Sequence, residues 1–252
     1  MSILLYEKKD RIAYITLNRP ESLNTMSREL SRQLSKALLD FESDADIWVG
    51  IITGTGDRSF CAGADLKDAE GVEAPDEWET EYARQLASVK KPMIAAVNGY
   101  CLGAGFTIAL ACDIRIASET ASFGTPDQKL NTVDCYASLA LANLIPSAIA
   151  MEILFTGDRI SAQEAYRIGL VNRVVPPVEL MPTAEQTARK ICGNGPMAIR
   201  ACKELVKRGR TMTLDEGLCL FKALAHTVLE SEDTREGITA FLEKRPPVWK
   251  CK

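Results

Sequence analysis

The chain has 252 residues, 46% apolar and 25% charged, with 30 basic against 34 acidic side chains and a formal charge of −4. That size and composition suit one globular domain, or one domain with a small appendage, and exclude disorder, collagen and a minimal scaffold. A mildly acidic chain without a basic stripe argues against nucleic acid as partner. No apolar run reaches the roughly 18 residues of a membrane span, and the first residues lack a signal peptide's apolar segment. The expectation is therefore a cytoplasmic enzyme.

Residues 3–7 and 12–17 alternate like two hairpin-paired strands ending at Asn18-Arg19-Pro20. Ser27 is a plausible N-cap, and Leu30, Leu34, Leu38 and Phe41 follow at helical spacing. Residues 48–54 and 92–99 are β-rich runs closed by Gly-Thr-Gly and Asn-Gly, and the strand, helix, strand rhythm is that of an α/β layer. Between them, Asp65 and seven further acidic residues up to Glu81 read as a solvated loop and helix face. From Pro146 the chain turns helical, with helical spacing over 146–155, 161–169, 183–193, 196–208 and 214–230. No internal repeat is visible.

Eight cysteines are scattered without a C-x-x-C pair, a pattern of reduced and largely buried thiols. With His226 as the single histidine, a Ser-His-Asp triad and a His-rich metal site both lack their parts, and no metal is expected. Two small-residue turns stand out, Phe60-Cys61-Ala62-Gly63-Ala64-Asp65-Leu66 and Asn98 through Phe106, the second running into an apolar stretch of helical length. Small side chains leave backbone N–H groups uncovered, and two such groups aimed at one point form an oxyanion hole. Each turn alone is also what a packed α/β protein needs for tight connections. A third segment, 121–136, carries Asp127 and Asp134 beside turn-forming residues. Both could be loop-borne acids or bases, and both could be structural, Asp127 starting a turn and Asp134 capping a helix near Ala137.

Taken together, these segments resemble the crotonase superfamily, the enoyl-CoA hydratase/isomerase family, from about residue 3 to 245. The matching stretches are 15–20, 59–66, Lys91-Pro92 through Gly105, Cys112-Asp113, 155–160, 169–172 and 240–245. The resemblance implies an α/β fold with a ββα spiral core that binds acyl-CoA, set at residues 1–195, and a C-terminal helical trimerisation region at 196–252. It further implies a homotrimer or dimer of trimers, and coenzyme A present only as the thioester part of the substrate, with no prosthetic group. By position, the backbone N–H groups of Ala64 and Ala104 would form the oxyanion hole, Ala104 standing where a glycine is common. Residues matching Ala62, Ala64, Asp65 and Leu66 would hold the adenine end of the coenzyme, and Phe241 and Lys244 would help enclose it, often from a neighbouring subunit.

The departures from the family bear on the reaction. Its hydratases use two glutamates, and this chain has Thr107 and Asp127 at those positions. A single carboxylate suffices to move a double bond, and related diene isomerases place an extra carboxylate near Asp134. The expected activity is thus double-bond isomerisation or an atypical hydration through a thioester enolate. The alternatives are decarboxylation, in which Thr107, Asp134 or Tyr136 would orient the departing carboxylate, and a silent CoA-binding homologue. Dehalogenase-like chemistry would want a histidine in the acyl pocket, and His226 lies in the C-terminal helical stretch. Trp78, Glu81 and Tyr82 match a helix that lines the acyl pocket in the family, while their own residue types read as surface.

Overall fold

From residue 49 onward the chain lays strands alternately into two sheets, as seen in a computed structural model that describes residues 2–68 and 77–252, the side chains of 77–80 excepted. Strands β1 (Leu4–Lys9) and β2 (Ile12–Leu17) form the expected antiparallel hairpin, turned by Asp10 and Arg11, both at positive φ. Helix α1 (Arg28–Ser43) follows. Three ββα units come next: β3 (Val49–Gly54), β4 (Ser59–Cys61) and α2 (Glu77–Ser88); β5 (Met93–Val97), β6 (Tyr100–Leu102) and α3 (Ala104–Ala111); β7 (Ile114–Ser118), β8 (Ser122–Gly124) and α4 (Cys135–Leu144). A short 3₁₀ turn, Pro126–Leu130, precedes α4. The chain continues through α5 (Ser147–Thr156), β9 (Ile160–Ser161), α6 (Ala162–Arg167) and β10 (Arg173–Val175) to four helices, α7 (Leu180–Cys192), α8 (Pro196–Gly209), α9 (Leu214–Leu229) and α10 (Glu232–Glu243).

The first sheet has the order β1-β2-β3-β5-β7-β10 and the second β4-β6-β8-β9. Each ββα unit therefore adds one strand to each sheet, which is a spiral. Apart from the β1–β2 and β8–β9 pairs, all neighbours are parallel. Parallel strands are covered on both faces, which explains why all five residues of β5 are buried and why β3 reads as a continuous apolar run. On one face Leu180, Ala184 and Ala188 of α7 pack over Val49, Ile51, Ile94 and Ile116. On the other, Leu30, Leu34, Leu38 and Phe41 of α1 join Ile15, Ile52, Met93 and the buried helix α3. The small side chains of α7 let its backbone approach the sheet closely.

Helix α1 starts where the sequence places it, the Ser27 hydroxyl accepting the Leu30 N–H at 3.1 Å. Two expectations need correction. Helix α7 begins at Leu180 rather than near 183, because Pro182 falls in the first helical turn, where a missing N–H costs nothing. The two small-residue turns contain strands, β4 and β6, of three residues each, too short to show alternation. All eight cysteines are unpaired, as expected, but only Cys61, Cys101 and Cys112 are buried, and Cys135, Cys202 and Cys219 are exposed on helices.

Helix α8 is fastened to the sheets by Lys203, whose amine donates to the Asp113 carboxylate at 2.6 Å and to the Lys91 carbonyl at 2.7 Å. The Asp233 carboxylate, buried at the start of α10, accepts the N–H groups of Lys250 and Cys251 at 2.7 and 2.8 Å. Trp249 lies over Gly195 and Gly237 and donates its indole N–H to Gly193 at 2.9 Å. No described helix is long and apolar enough to cross a membrane. Ser27→Ala removes the cap of α1 and is expected to cost about 1 kcal/mol of stability, read as a shifted midpoint in urea unfolding.

Candidate active site

Strands β4, β6 and β8 are consecutive neighbours in the second sheet, in register at Cys61↔Cys101 and Leu102↔Gly124. Their carboxyl ends therefore lie side by side, and the three segments singled out in the sequence all leave from those ends. Ala64 follows β4, Ala104 follows β6 and Asp127 follows β8. This is where parallel sheets usually present ligands.

Beyond β4 the chain makes one more parallel bridge, Met26 pairing with Ala64. Met26 donates to the Gly63 carbonyl at 2.8 Å and accepts the Asp65 N–H at 2.9 Å. Backbone polar groups alternate along an extended segment, so the N–H of Ala64, between those two, faces the other side. Among the described residues it has no protein acceptor. Beyond β6, Gly103 donates to the Gly124 carbonyl at 3.0 Å and accepts the Thr107 N–H at 2.9 Å, which starts α3. The N–H of Ala104, first in the helix, has no carbonyl one turn back and is left as a donor at the positive end of the helix.

Each of these free amides follows a glycine at positive φ, Gly63 at +118° and Gly103 at +48°. The two turns touch: a Cβ built on Gly103 would lie 3.5 Å from the Gly63 Cα and 3.3 Å from Asp127 Oδ2. Gly105, one residue inside α3, is packed so tightly that a Cβ would meet the Cys61 carbonyl oxygen at 2.1 Å. The glycines thus serve conformation at 63 and 103 and close approach at 105.

Asp127 sits in the first turn of the 3₁₀ segment, its Oδ2 accepting the hydroxyl of fully buried Thr125 at 2.7 Å. Thr132 ties the Asp127 carbonyl through both its N–H and its hydroxyl, each at 3.0 Å. Asp134 is the N-cap of α4, Oδ1 accepting the Ala137 N–H at 2.9 Å. The Thr107 hydroxyl stands 2.8 Å from both Asp134 oxygens, donating to that carboxylate. Burial pushes the Asp134 carboxyl up to about 6; the Ala137 and Thr107 hydrogen bonds oppose this, and the charge of Asp127 adds to it. One side chain therefore both caps α4 and carries a raised proton affinity.

The Ala62–Leu66 turn is locked from outside the site. Arg19 pairs with the Asp65 carboxylate at 2.8 Å, holding it below the usual carboxylate range, and donates to the Thr25 carbonyl at 2.8 Å. Buried Asn24 accepts the Arg19 N–H and donates to the carbonyls of Thr55 and Ser59. Leu66 is exposed, and the Ala62 N–H donates to the Leu23 carbonyl at 3.1 Å. Phe241 and Lys244, at the end of α10, are exposed, and among the described residues no hydrogen bond or ion pair joins α10 to this turn. The locking residues Arg19, Asn24 and Thr125 escaped the sequence reading; Asn24 at a positive φ of 56° is a turn signal that composition alone does not expose.

Of the acidic stretch, Asp68 caps the Arg28 N–H and Glu81 pairs with Arg84, while residues 69–76 lie outside the described residues. Tyr82 is buried in the main core against the surface expectation, because α2 turns that face inward onto α1; the Trp78 side chain is outside the described set. Tyr136 is half-buried and burial raises its phenol, with Cys112, Asp113 and Arg115 nearby. His226 is exposed on α9 beside Glu230. Among the described residues no three His, Cys, Asp or Glu side chains are grouped to hold a metal ion.

A family model described as Enoyl-CoA hydratase/isomerase matches residues 7–252. A carnitinyl-CoA dehydratase of Salmonella agona is 44% identical over 251 residues, covering 95% of each chain. A short-chain-enoyl-CoA hydratase of Clostridium acetobutylicum is 36% identical over 248 residues, 96% of this chain and 95% of that one. The crystal structure of an enoyl-CoA hydratase from Bacillus anthracis superposes with a TM-score of 0.96 at 36% identity, covering both chains completely.

Asp134 offers a stability test of its electrostatics. In the unfolded chain its carboxyl ionises near the ordinary 3.8, and in the folded chain only near 6. Between those values the folded state holds the extra proton, so Asp134 erodes stability as pH rises through this window, by on the order of 3 kcal/mol in total, and the deficit persists above it. Asp134→Asn does not titrate. Its stability relative to the parent is expected to improve from about pH 4 to about pH 7, measured by urea unfolding across that range.

Proposed function

Since the chain belongs to the enoyl-CoA hydratase/isomerase family, acyl-CoA enzymes that use no prosthetic group, we propose that it reversibly adds water across the double bond of a 2-enoyl-CoA. The reading rests on one observation above all: the Thr107 hydroxyl holds the Asp134 carboxylate at the first turn of α3. Thr107 cannot itself act as a base. By binding Asp134 it brings a second carboxylate to the place where its own side chain is too short and neutral to serve.

In this reading the amides of Ala64 and Ala104 donate to the thioester oxygen, where negative charge grows as the α-carbon becomes enolate-like. The carbonyl is thereby fixed beside Gly103, against which the Asp127 carboxylate lies. Asp127 then protonates the α-carbon. Asp134, oriented by Thr107 and the Ala137 N–H, holds the water that attacks the β-carbon and takes its proton. The pair carries one proton through the cycle: Asp127 gives it up, Asp134 acquires one from water, and solvent exchange resets the pair. The charge of Asp127 adds to the burial that raises the proton affinity of Asp134.

The same reading assigns residues 1–195 to binding and transforming the thioester and residues 196–252 to assembly as a homotrimer, alone or doubled. Exposed Val206, Leu218 and Phe221 on α8 and α9 are suited to such contacts, and Phe241 and Lys244 would then close over the coenzyme of a neighbouring copy.

Incubation in D₂O with 2-enoyl- and 3-enoyl-CoA series, followed by mass spectrometry, separates the reactions. Hydration adds water together with carbon-bound deuterium. Deuterium without water would replace hydration by double-bond migration, and no change in any thioester would leave a silent binder. Asp127→Asn and Asp134→Asn are each expected to lower kcat at least about 100-fold. Thr107→Val is expected to lower it about 10-fold through misplacement of Asp134. Parent-like turnover by Asp127→Asn would remove that residue from the mechanism.

A further inference from the structure

A threonine at the N-cap of a helical turn ordinarily uses its oxygen to accept a backbone N–H two or three residues on. Thr125 occupies that position before the Pro126–Leu130 turn and makes no such bond. Its hydroxyl proton goes instead to Asp127 Oδ2 at 2.7 Å. The side chain is fully buried, and this is its hydrogen bond among the described residues. Asp127 Oδ1 accepts from no protein donor among those residues, while its main-chain carbonyl is tied by Thr132. One carboxylate oxygen is thus committed to the protein, and the other is left for whatever binds above Gly103.

We propose that Thr125 is a positioning residue for the reaction, anchoring Asp127 through Oδ2 so that Oδ1 is presented to the thioester held by Ala64 and Ala104. The inference rests on the assignment of Asp127 as the proton-transferring group. Aspartate is one methylene shorter than glutamate, so its carboxylate cannot be brought to the α-carbon by swinging a longer stem; its direction has to be set by neighbours. Rotation about χ2 would exchange or tilt the two oxygens, and the buried donor on one side selects one orientation. The absence of a side chain at Gly103 leaves the space that the carboxylate takes, since a Cβ there would stand 3.3 Å from Oδ2 and 3.7 Å from Oδ1. Thr125 therefore sets the direction of the carboxylate, and Gly103 gives it room.

Two substitutions separate the hydroxyl from the methyl group. Thr125→Val keeps shape and removes the donor; Thr125→Ser keeps the donor and removes the methyl. Each is assayed with the member of a C4–C16 2-enoyl-CoA series that the parent hydrates fastest, alongside Asp127→Asn and urea unfolding. The expected result is a kcat about 10-fold or more below the parent for Thr125→Val at unchanged KM, with Thr125→Ser within about 3-fold of the parent, in keeping with the cost of a small misplacement of a reacting group. Parent-like kcat for Thr125→Val, or a larger loss for the serine than for the valine variant, would overturn the inference while a dead Asp127→Asn leaves the parent reading intact. An active Asp127→Asn, or a parent that hydrates none of the series, would instead remove the reading on which it rests.

Discussion

A side chain at Gly103 would be strained and crowded: φ is +48°, and a Cβ would stand 3.3 Å from Asp127 Oδ2 and 3.5 Å from the Gly63 Cα. That crowding is possible because three parallel strands of the second sheet end together, each handing its chain on to a different part of the site. Main-chain donors are the cheapest way to hold an oxygen that gains negative charge, since they need no side-chain ordering and cannot titrate. The glycines set their direction. Once Gly63 and Gly103 adopt positive φ, the N–H groups that follow are turned away from their own ladders and left available.

The carboxylates are arranged by a different logic. Asp134 is held by a helix start and a threonine hydroxyl, both of which favour its charged form, yet burial and Asp127 outweigh them and lift its proton affinity. A helix cap is ordinarily a stabilising device; here the capping carboxylate also takes the Thr107 hydrogen bond and carries a raised proton affinity. Once ionised, that carboxylate sits in the fold at a net cost to stability. That cost is present at neutral pH, above the value near 6 at which the folded chain releases the proton.

The fold was legible because its signals are long: the α1 face at 30, 34, 38 and 41 and the buried run of β3 both survive as patterns in the chain. The second sheet was not, since strands of two and three residues carry no period, and only their pairing in space defines them. Of the candidate site, spacing and resemblance suggested Ala64, Ala104, Asp127 and Asp134, whereas the bond from Thr107 to Asp134 spans 27 residues and depends on how α3 and α4 pack. Arg19 and Asn24 were missed for the same reason, their bonds to Asp65 and Ser59 spanning 46 and 35 residues; Thr125 acts on Asp127 two residues on, through a local bond with no signature of its own.

The tail beyond α10 is not a loose end. With Asp233 gripping two main-chain amides and the Trp249 ring wedged between glycines of the α7–α8 connection and α10, the terminal helix is bolted to the sheet-packing layer as well as to α9. Whatever surface Phe241 and Lys244 present therefore travels with the main body as a rigid rim. Any molecule that docks on that rim would meet a preset edge, not a swinging arm, and little ordering entropy would be lost.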